Sequence, residues 1–148
     1  KDLRRGRSAA YNMLPTTTGA AIATSKVIPQ LKDKIDGMAV RVPTQVGSIV
    51  DVVYLTRKNT TKEKVNIAFK NASKKANLKH VLNVSNLPLV LSDFVGNPAS
   101  AIVDLEMTNV VDGNLLKVIA WYDNEWGYSN RLADLAEYLM KKKSFCIH

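Results

Sequence analysis

Apolar residues recur along this chain in two rhythms, and the change from one to the other marks its elements. Just after Gly19, Ala20, Ala23, Val27 and Leu31 fall at helical spacing, which predicts a short alanine-rich helix that Pro29 ends or bends. Residues 38–42 and 47–57 read as strands. In the second of these both alternating sets are apolar, Ile49, Val53 and Leu55 against Val50, Val52 and Tyr54, so burial on both faces is expected. Asp51 interrupts that run, and a carboxylate there is expected to pair across the sheet or to reach solvent at a subunit boundary. Val65, Ala68, Phe69, Ala72 and Ala76 then predict an amphipathic helix within residues 57–79. Further strands are read at 79–84, 99–105 and 115–122, and Leu132, Leu135, Leu139 and Met140 mark one face of a C-terminal helix. Too few helices separate the strands for repeated crossover units. The expectation is an α+β fold, a mixed, largely antiparallel sheet covered by helices, and not a doubly wound nucleotide-binding domain.

Composition narrows the classes. A chain of 148 residues, 46% hydrophobic and 23% charged, is the length of one ordinary domain and can bury roughly 70% of its unfolded surface. Its apolar runs are too short for a membrane span. The single Cys146 has no partner for an internal disulfide, and no apolar leader precedes Asp2, so a reducing cytoplasm is expected. The charged start, KDLRRGR, reads as the interior of a longer polypeptide. The net charge of +8 raises nucleic acid as a partner, but residues 57–79 hold eight Lys and Arg against the single Glu63 at helical spacing, with no interleaved aromatics to stack on bases. A solvated helix face is the favoured reading and nucleic acid is an unlikely partner.

Candidate chemistry concentrates in two places. The block WYDNEWGYSNR, Trp121 to Arg131, packs aromatic, amide and charged side chains where a strand hands over to a helix. It reads either as a ligand-facing segment or as a structural corner with its tryptophans in the core and Asp123 and Asn124 capping backbone groups. The run Pro15-Thr16-Thr17-Thr18-Gly19-Ala20 sets hydroxyls and a glycine immediately before a helix. Free N–H groups, a positive dipole end and hydroxyls suit a phosphate there, although a simple N-cap has the same signature. Arg4, Arg5 and Arg7 lie just upstream. Arg41 stands alone among apolar neighbours and needs either an anion or a buried carboxylate. No GxGxxG, metal-ligand cluster or nucleophile elbow occurs.

Taken in order, DLRRGR, NMLPTTTGAA, GMAVRVPT, SIVDV, LVLSDFVGNPASAIVD and VIAWYDNEWGYSNR resemble the blocks of the C-terminal half of phosphorylating glyceraldehyde-3-phosphate dehydrogenase, with compatible spacing over nearly the whole chain. That resemblance implies a glycolytic enzyme. In it a cysteine thiolate attacks glyceraldehyde 3-phosphate, hydride passes to NAD, and inorganic phosphate cleaves the thioester to give 1,3-bisphosphoglycerate. It implies that Arg5, Thr18 and Gly19 bind the attacking phosphate, that Arg41 holds the substrate's own phosphate, that Asn124 fixes the nicotinamide carboxamide and that Tyr128 lies beside that ring. The arginine-rich start would belong to a loop that reaches a neighbouring subunit, and the whole protein would be a cytoplasmic homotetramer.

The resemblance also implies what to look for and not find. The family's nucleophilic cysteine lies in an SCTTN-type block with a base histidine after it, and neither block occurs here. Residues 1–148 are therefore expected to be a C-terminal catalytic-domain fragment without its catalytic pair and without the dinucleotide-binding domain, inactive alone. Cys146 and His148 follow Lys141 to Lys143 as a tail and match no motif. His80 reads as a surface or sheet-edge residue. NAD is the expected cofactor, with NADP left open because the discriminating region is absent. Two alternatives stand beside this reading: erythrose-4-phosphate dehydrogenase, which shares the SAIVD block but departs at the TTTGAA loop, and an inert fragment that binds anionic polymers through its basic helix.

Overall fold

A computed structural model describes residues 2–143, which leaves Cys146 and His148 outside the described residues. The chain divides into two compact units, Lys1–Gln45 and Val46–His148.

In the first unit, strands β1 (Leu14–Thr16) and β2 (Ala39–Arg41) pair antiparallel, with Leu14 opposite Arg41 and Thr16 opposite Ala39. Leu14 is the buried residue of this pair. Between them runs helix α1 (Ala20–Val27). It stops where expected: Ile28, the residue before Pro29, is pushed out of the helical region to φ −123°, and a 3₁₀ turn, Pro29–Leu31, follows. The predicted stripe is not buried, for Ala20, Ala23 and Val27 are all exposed. Strand β1 was not expected, because a proline followed by threonines reads as loop.

The second unit holds strands β3 (Ser48–Leu55), β4 (Leu82–Ser85), β5 (Ala101–Val111) and β6 (Leu115–Tyr122), with helices α2 (Lys62–Ala72) and α3 (Trp126–Lys143). The sheet runs β3-β6-β5-β4; its first two pairings are antiparallel and β5–β4 is parallel. This is the mixed, largely antiparallel α+β arrangement read from the sequence. Parity along the strands puts Val103, Leu105, Val118 and Ala120 on one face, where they form the buried core with Phe69 of α2 laid over β4 and β5. On the opposite face Phe94, Ala99 and Ile102 make a second cluster that Trp121 closes, its ring stacked on Phe94 at 5.8 Å.

Three expectations change. Helix α2 spans Lys62–Ala72, not the whole basic stretch: Thr61 accepts the Lys64 N–H to start it, and Ala76 lies beyond its end in a series of turns. Strand β3 was expected to be buried on both faces, yet Ile49, Val53 and Leu55 are exposed on one side and Val50 and Tyr54 on the other. It is an outer strand, and α2 packs over β4 and β5. The stripe on α3 is exposed as well, with Leu132, Leu135, Leu139 and Met140 about half accessible or more, and among the described residues the helix packed on the core around Val103 and Val118 is α2. Asp51 behaves as expected: it meets Lys117 of β6 in an ion pair of 2.9 Å on the sheet surface.

Candidate functional site

The first unit carries a cavity of about 460 Å³ lined by Arg4, Arg5, the run Pro15 to Thr18, and Asp36, Gly37 and Met38, with Asp2 beside the arginines. Its chemistry is mixed. Arg5 Nε lies 2.7 Å from Asp2 Oδ2, and the other Asp2 oxygen accepts the backbone N–H groups of Arg4 and Arg5 at 3.0 Å each. Those N–H bonds, that of Arg5 first, and the Arg5 guanidinium hold the Asp2 carboxyl down at about 2. An anion that reaches Arg5 must therefore compete with a resident carboxylate. Arg4 has no ion pair among the described residues.

Thr18 performs two tasks at this wall. Its Oγ1 accepts the Ala20 N–H at 3.1 Å, which satisfies one of the orphan donors at the start of α1. The hydroxyl's own hydrogen is then left for an outside acceptor. Ala21 and Ile22 are in the same first turn, where no preceding helical carbonyl serves their N–H groups. Gly19, the N-cap, has an ordinary φ of −85°, and a Cβ built there would meet no atom within 4 Å. Packing does not demand glycine at this position; what its small size provides is open backbone. The structure thus brings Arg5 and Thr18 to one cavity with Gly19 adjoining Thr18 in the chain. Arg41 is not on that cavity wall. It ends β2, exposed, with no ion pair or side-chain hydrogen bond among the described residues. The buried-carboxylate alternative for Arg41 is not met.

In the second unit the aromatic block resolves into a corner and a presented face. Asp123 is the corner: buried, it accepts the Gly96 N–H on one oxygen at 2.9 Å and the N–H groups of Glu125 and Trp126 on the other at 3.1 and 2.8 Å, which ties the loop before β5 to the start of α3. The Gly96 N–H, and then that of Trp126, lower its pKa. Gly127 packs closely too, for a Cβ there would lie 3.1 Å from the Ala99 carbonyl oxygen. Trp121 is fixed by its stacking and by its indole N–H, which donates to buried Asp104 at 3.1 Å. Asn124, Trp126 and Tyr128 are the presented face. Trp126 is 52% exposed, not in the core, and Tyr128 is 64% exposed. The Asn124 side-chain oxygen accepts the Ser48 hydroxyl at 3.1 Å, which leaves its NH₂ turned to solvent as a donor.

Sequence reasoning missed three residues. Asp2 was visible in principle, three positions before Arg5. Ser48 and Asp104 carried no local signal, since each is defined by a partner far along the chain. His80 is exposed in a left-handed conformation (φ 67°), and its carbonyl accepts from Arg131 at 3.1 Å, in keeping with a surface residue.

The sequence matches the family described as glyceraldehyde 3-phosphate dehydrogenase, C-terminal domain, over residues 1–124. The chain belongs to that family. Among its relatives it is 51% identical over 139 residues to glyceraldehyde-3-phosphate dehydrogenase of Streptomyces coelicolor, covering 94% of this chain and 41% of the relative. It is 54% identical over 142 residues to glyceraldehyde-3-phosphate dehydrogenase 2 of Trichormus variabilis, covering 96% and 42%. The corresponding protein of Staphylococcus aureus is 52% identical over 139 residues, covering 94% and 40%. The chain thus spans about two fifths of the length of the curated relatives it matches. As a glyceraldehyde-3-phosphate dehydrogenase C-terminal domain it has, among the described residues, no helix long and apolar enough to cross a membrane.

Proposed function

We propose that this chain is the C-terminal part of a phosphorylating glyceraldehyde-3-phosphate dehydrogenase, a cytoplasmic enzyme that oxidises glyceraldehyde 3-phosphate with NAD and inorganic phosphate to 1,3-bisphosphoglycerate. The observation that carries the reading is the first-unit cavity, where Arg5 and the donor hydroxyl of Thr18 meet beside the start of α1. Arg5, Thr18 and Gly19 bind the attacking phosphate and hold one of its oxygens toward the thioester carbon. Arg41, a fork with no ion pair or side-chain hydrogen bond among the described residues, takes the phosphate of the aldehyde. The Asn124 NH₂ suits the carbonyl of a nicotinamide carboxamide and the exposed Tyr128 ring suits its flank, so both fit the cofactor. When bound, that cofactor supplies the hydride acceptor. The nucleophilic cysteine and the base histidine come from outside these residues, so the isolated chain is inactive.

Dinucleotide reduction by the full-length protein tests this, measured with glyceraldehyde 3-phosphate and erythrose 4-phosphate, with NAD and NADP, and with and without phosphate. Turnover independent of phosphate, or a preference for the four-carbon aldehyde, would sink it. Thr18→Ala should raise the phosphate concentration for half-saturation about fivefold, because it removes one neutral hydrogen bond worth roughly 1 kcal/mol. The aldehyde dependence should stay put, and an equal shift in both would show that Thr18 is not specific to the attacking phosphate.

The oligomer belongs to the same proposal. Ile49, Val53 and Leu55 on β3 and Leu115 on β6 share one sheet face and are all well exposed, Leu55 at 78%. In a homotetramer a second copy covers such a face. Light scattering should give four chains per particle for the full-length protein and self-association for the isolated chain. A monomer at high concentration in either case contradicts the proposal.

A further inference from the structure

Asn124 is held almost everywhere except at its side chain. Its backbone follows Asp123, whose carboxylate clamps three N–H groups, and precedes α3, whose first turn packs Gly127 against the Ala99 carbonyl. The side chain projects from that rigid corner into solvent, where an amide rotates freely unless something tethers it. The tether comes from the outer strand β3. Ser48, half-buried as the first residue of β3, stands opposite Tyr122 in register, and its hydroxyl reaches Asn124 Oδ1 at 3.1 Å. Ser48 is itself placed by Gly47, whose φ of +91° only glycine adopts readily and whose missing Cβ makes room for Leu91; a Cβ there would lie 2.6 Å from Leu91 Cδ1.

We propose that Ser48 is a positioning residue for the cofactor side of this enzyme: by donating to Asn124 Oδ1 it fixes the amide so that its NH₂ faces the nicotinamide carboxamide. The inference rests on the reading of Asn124 as the carboxamide-binding residue. Preorganisation of this kind lowers the entropy lost when the dinucleotide binds, since the donor already points outward. It places no new contact between Ser48 and the ligand. Its signature is therefore coupling: removing the Ser48 hydroxyl matters only while Asn124 is present.

The test is a double-mutant cycle in the full-length enzyme, with the dissociation constant of NAD read by titration calorimetry and the KM values for NAD and phosphate read beside it. Ser48→Ala should weaken NAD about three- to tenfold, the range commanded by one neutral hydrogen bond, and leave the phosphate KM unchanged. In the Asn124→Ala background the same substitution should have no further effect. Ser48→Thr, which keeps the hydroxyl, should restore wild-type affinity. Without any dinucleotide, the Asn124 side-chain amide should shift in the nitrogen–proton correlation spectrum of Ser48→Ala and not in that of Ser48→Thr. If Asn124→Ala weakens NAD while Ser48→Ala does not, or if the two effects simply add, the positioning role is overturned and the reading of Asn124 stands. If Asn124→Ala leaves NAD binding untouched, the carboxamide reading itself fails and the positioning role fails with it.

Discussion

Replacing Arg41 with alanine in the full-length enzyme is expected to raise the aldehyde concentration for half-saturation by about one to two powers of ten. The estimate follows from the loss of a charge-assisted fork worth roughly 1.5–3 kcal/mol, at about tenfold per 1.4 kcal/mol. The structure makes this a clean substitution. Arg41 is exposed at the end of β2 and has no ion pair among the described residues, so its removal strands no buried partner there. The fold should therefore survive, and circular dichroism should show it. Arg41→Lys should recover part of the loss, since an ammonium keeps the charge and gives up the bidentate geometry. Steady-state kinetics varying aldehyde and phosphate separately decide the matter: aldehyde saturation unchanged by Arg41→Ala would make Arg41 a structural residue and void the substrate-phosphate assignment.

The second large effect concerns stability. Asp123→Ala should destabilise the second unit by about 2–3 kcal/mol, because the Gly96, Glu125 and Trp126 N–H groups lose their acceptor at a buried corner and α3 loses its starting contact. The effect depends on pH with a definite sign. The folded-state pKa is depressed by those N–H groups, so the contribution is complete above the ordinary carboxylate value of about 4 and is lost as pH falls through the lower folded value. Urea midpoints of wild type and variant should differ most near neutral pH and draw together in acid. A gap that stays constant into acid would mean that the Asp123 carboxylate charge is not what holds this corner.

Legibility in the sequence followed from where each signal lives. Strand β6 was read with its observed bounds because its apolar run is local and the aromatic block closes it. The start of β5 was read within two residues of Ala101, but its extension to Val111 was not, because the register shift between Asp104 and Asn109 breaks the alternation. There Asp104 Oδ1 accepts the Glu106 and Met107 N–H groups, a rearrangement that no period-2 pattern encodes. Helix α2 was overread because Ala76 keeps the helical period after the backbone has left it. On the side of the proposed site, Thr18 and Gly19 stood out by residue type at a helix start, Arg41 by its isolation, and Arg5 only as one of an upstream arginine cluster until the family resemblance singled it out. Ser48 did not, since its role comes from the register of β3 on β6.

That same pairing sets an order of assembly. Strands β5 and β6 are joined by Asp112, Gly113 and Asn114, with Asp112 and Gly113 both at positive φ, so this hairpin closes at small entropic cost. Strand β3 finds its partner only when Tyr122 has been made and folded, and closing that long loop costs more. During synthesis β3 therefore waits as an apolar ribbon with unsatisfied hydrogen-bonding groups, the kind of segment that pairs wrongly with a neighbouring chain. Asp51, set in the middle of it and matched to Lys117 on the sheet surface, acts as a gatekeeper: a mispairing that buries this carboxylate without a lysine beside it leaves an unpaired charge out of water.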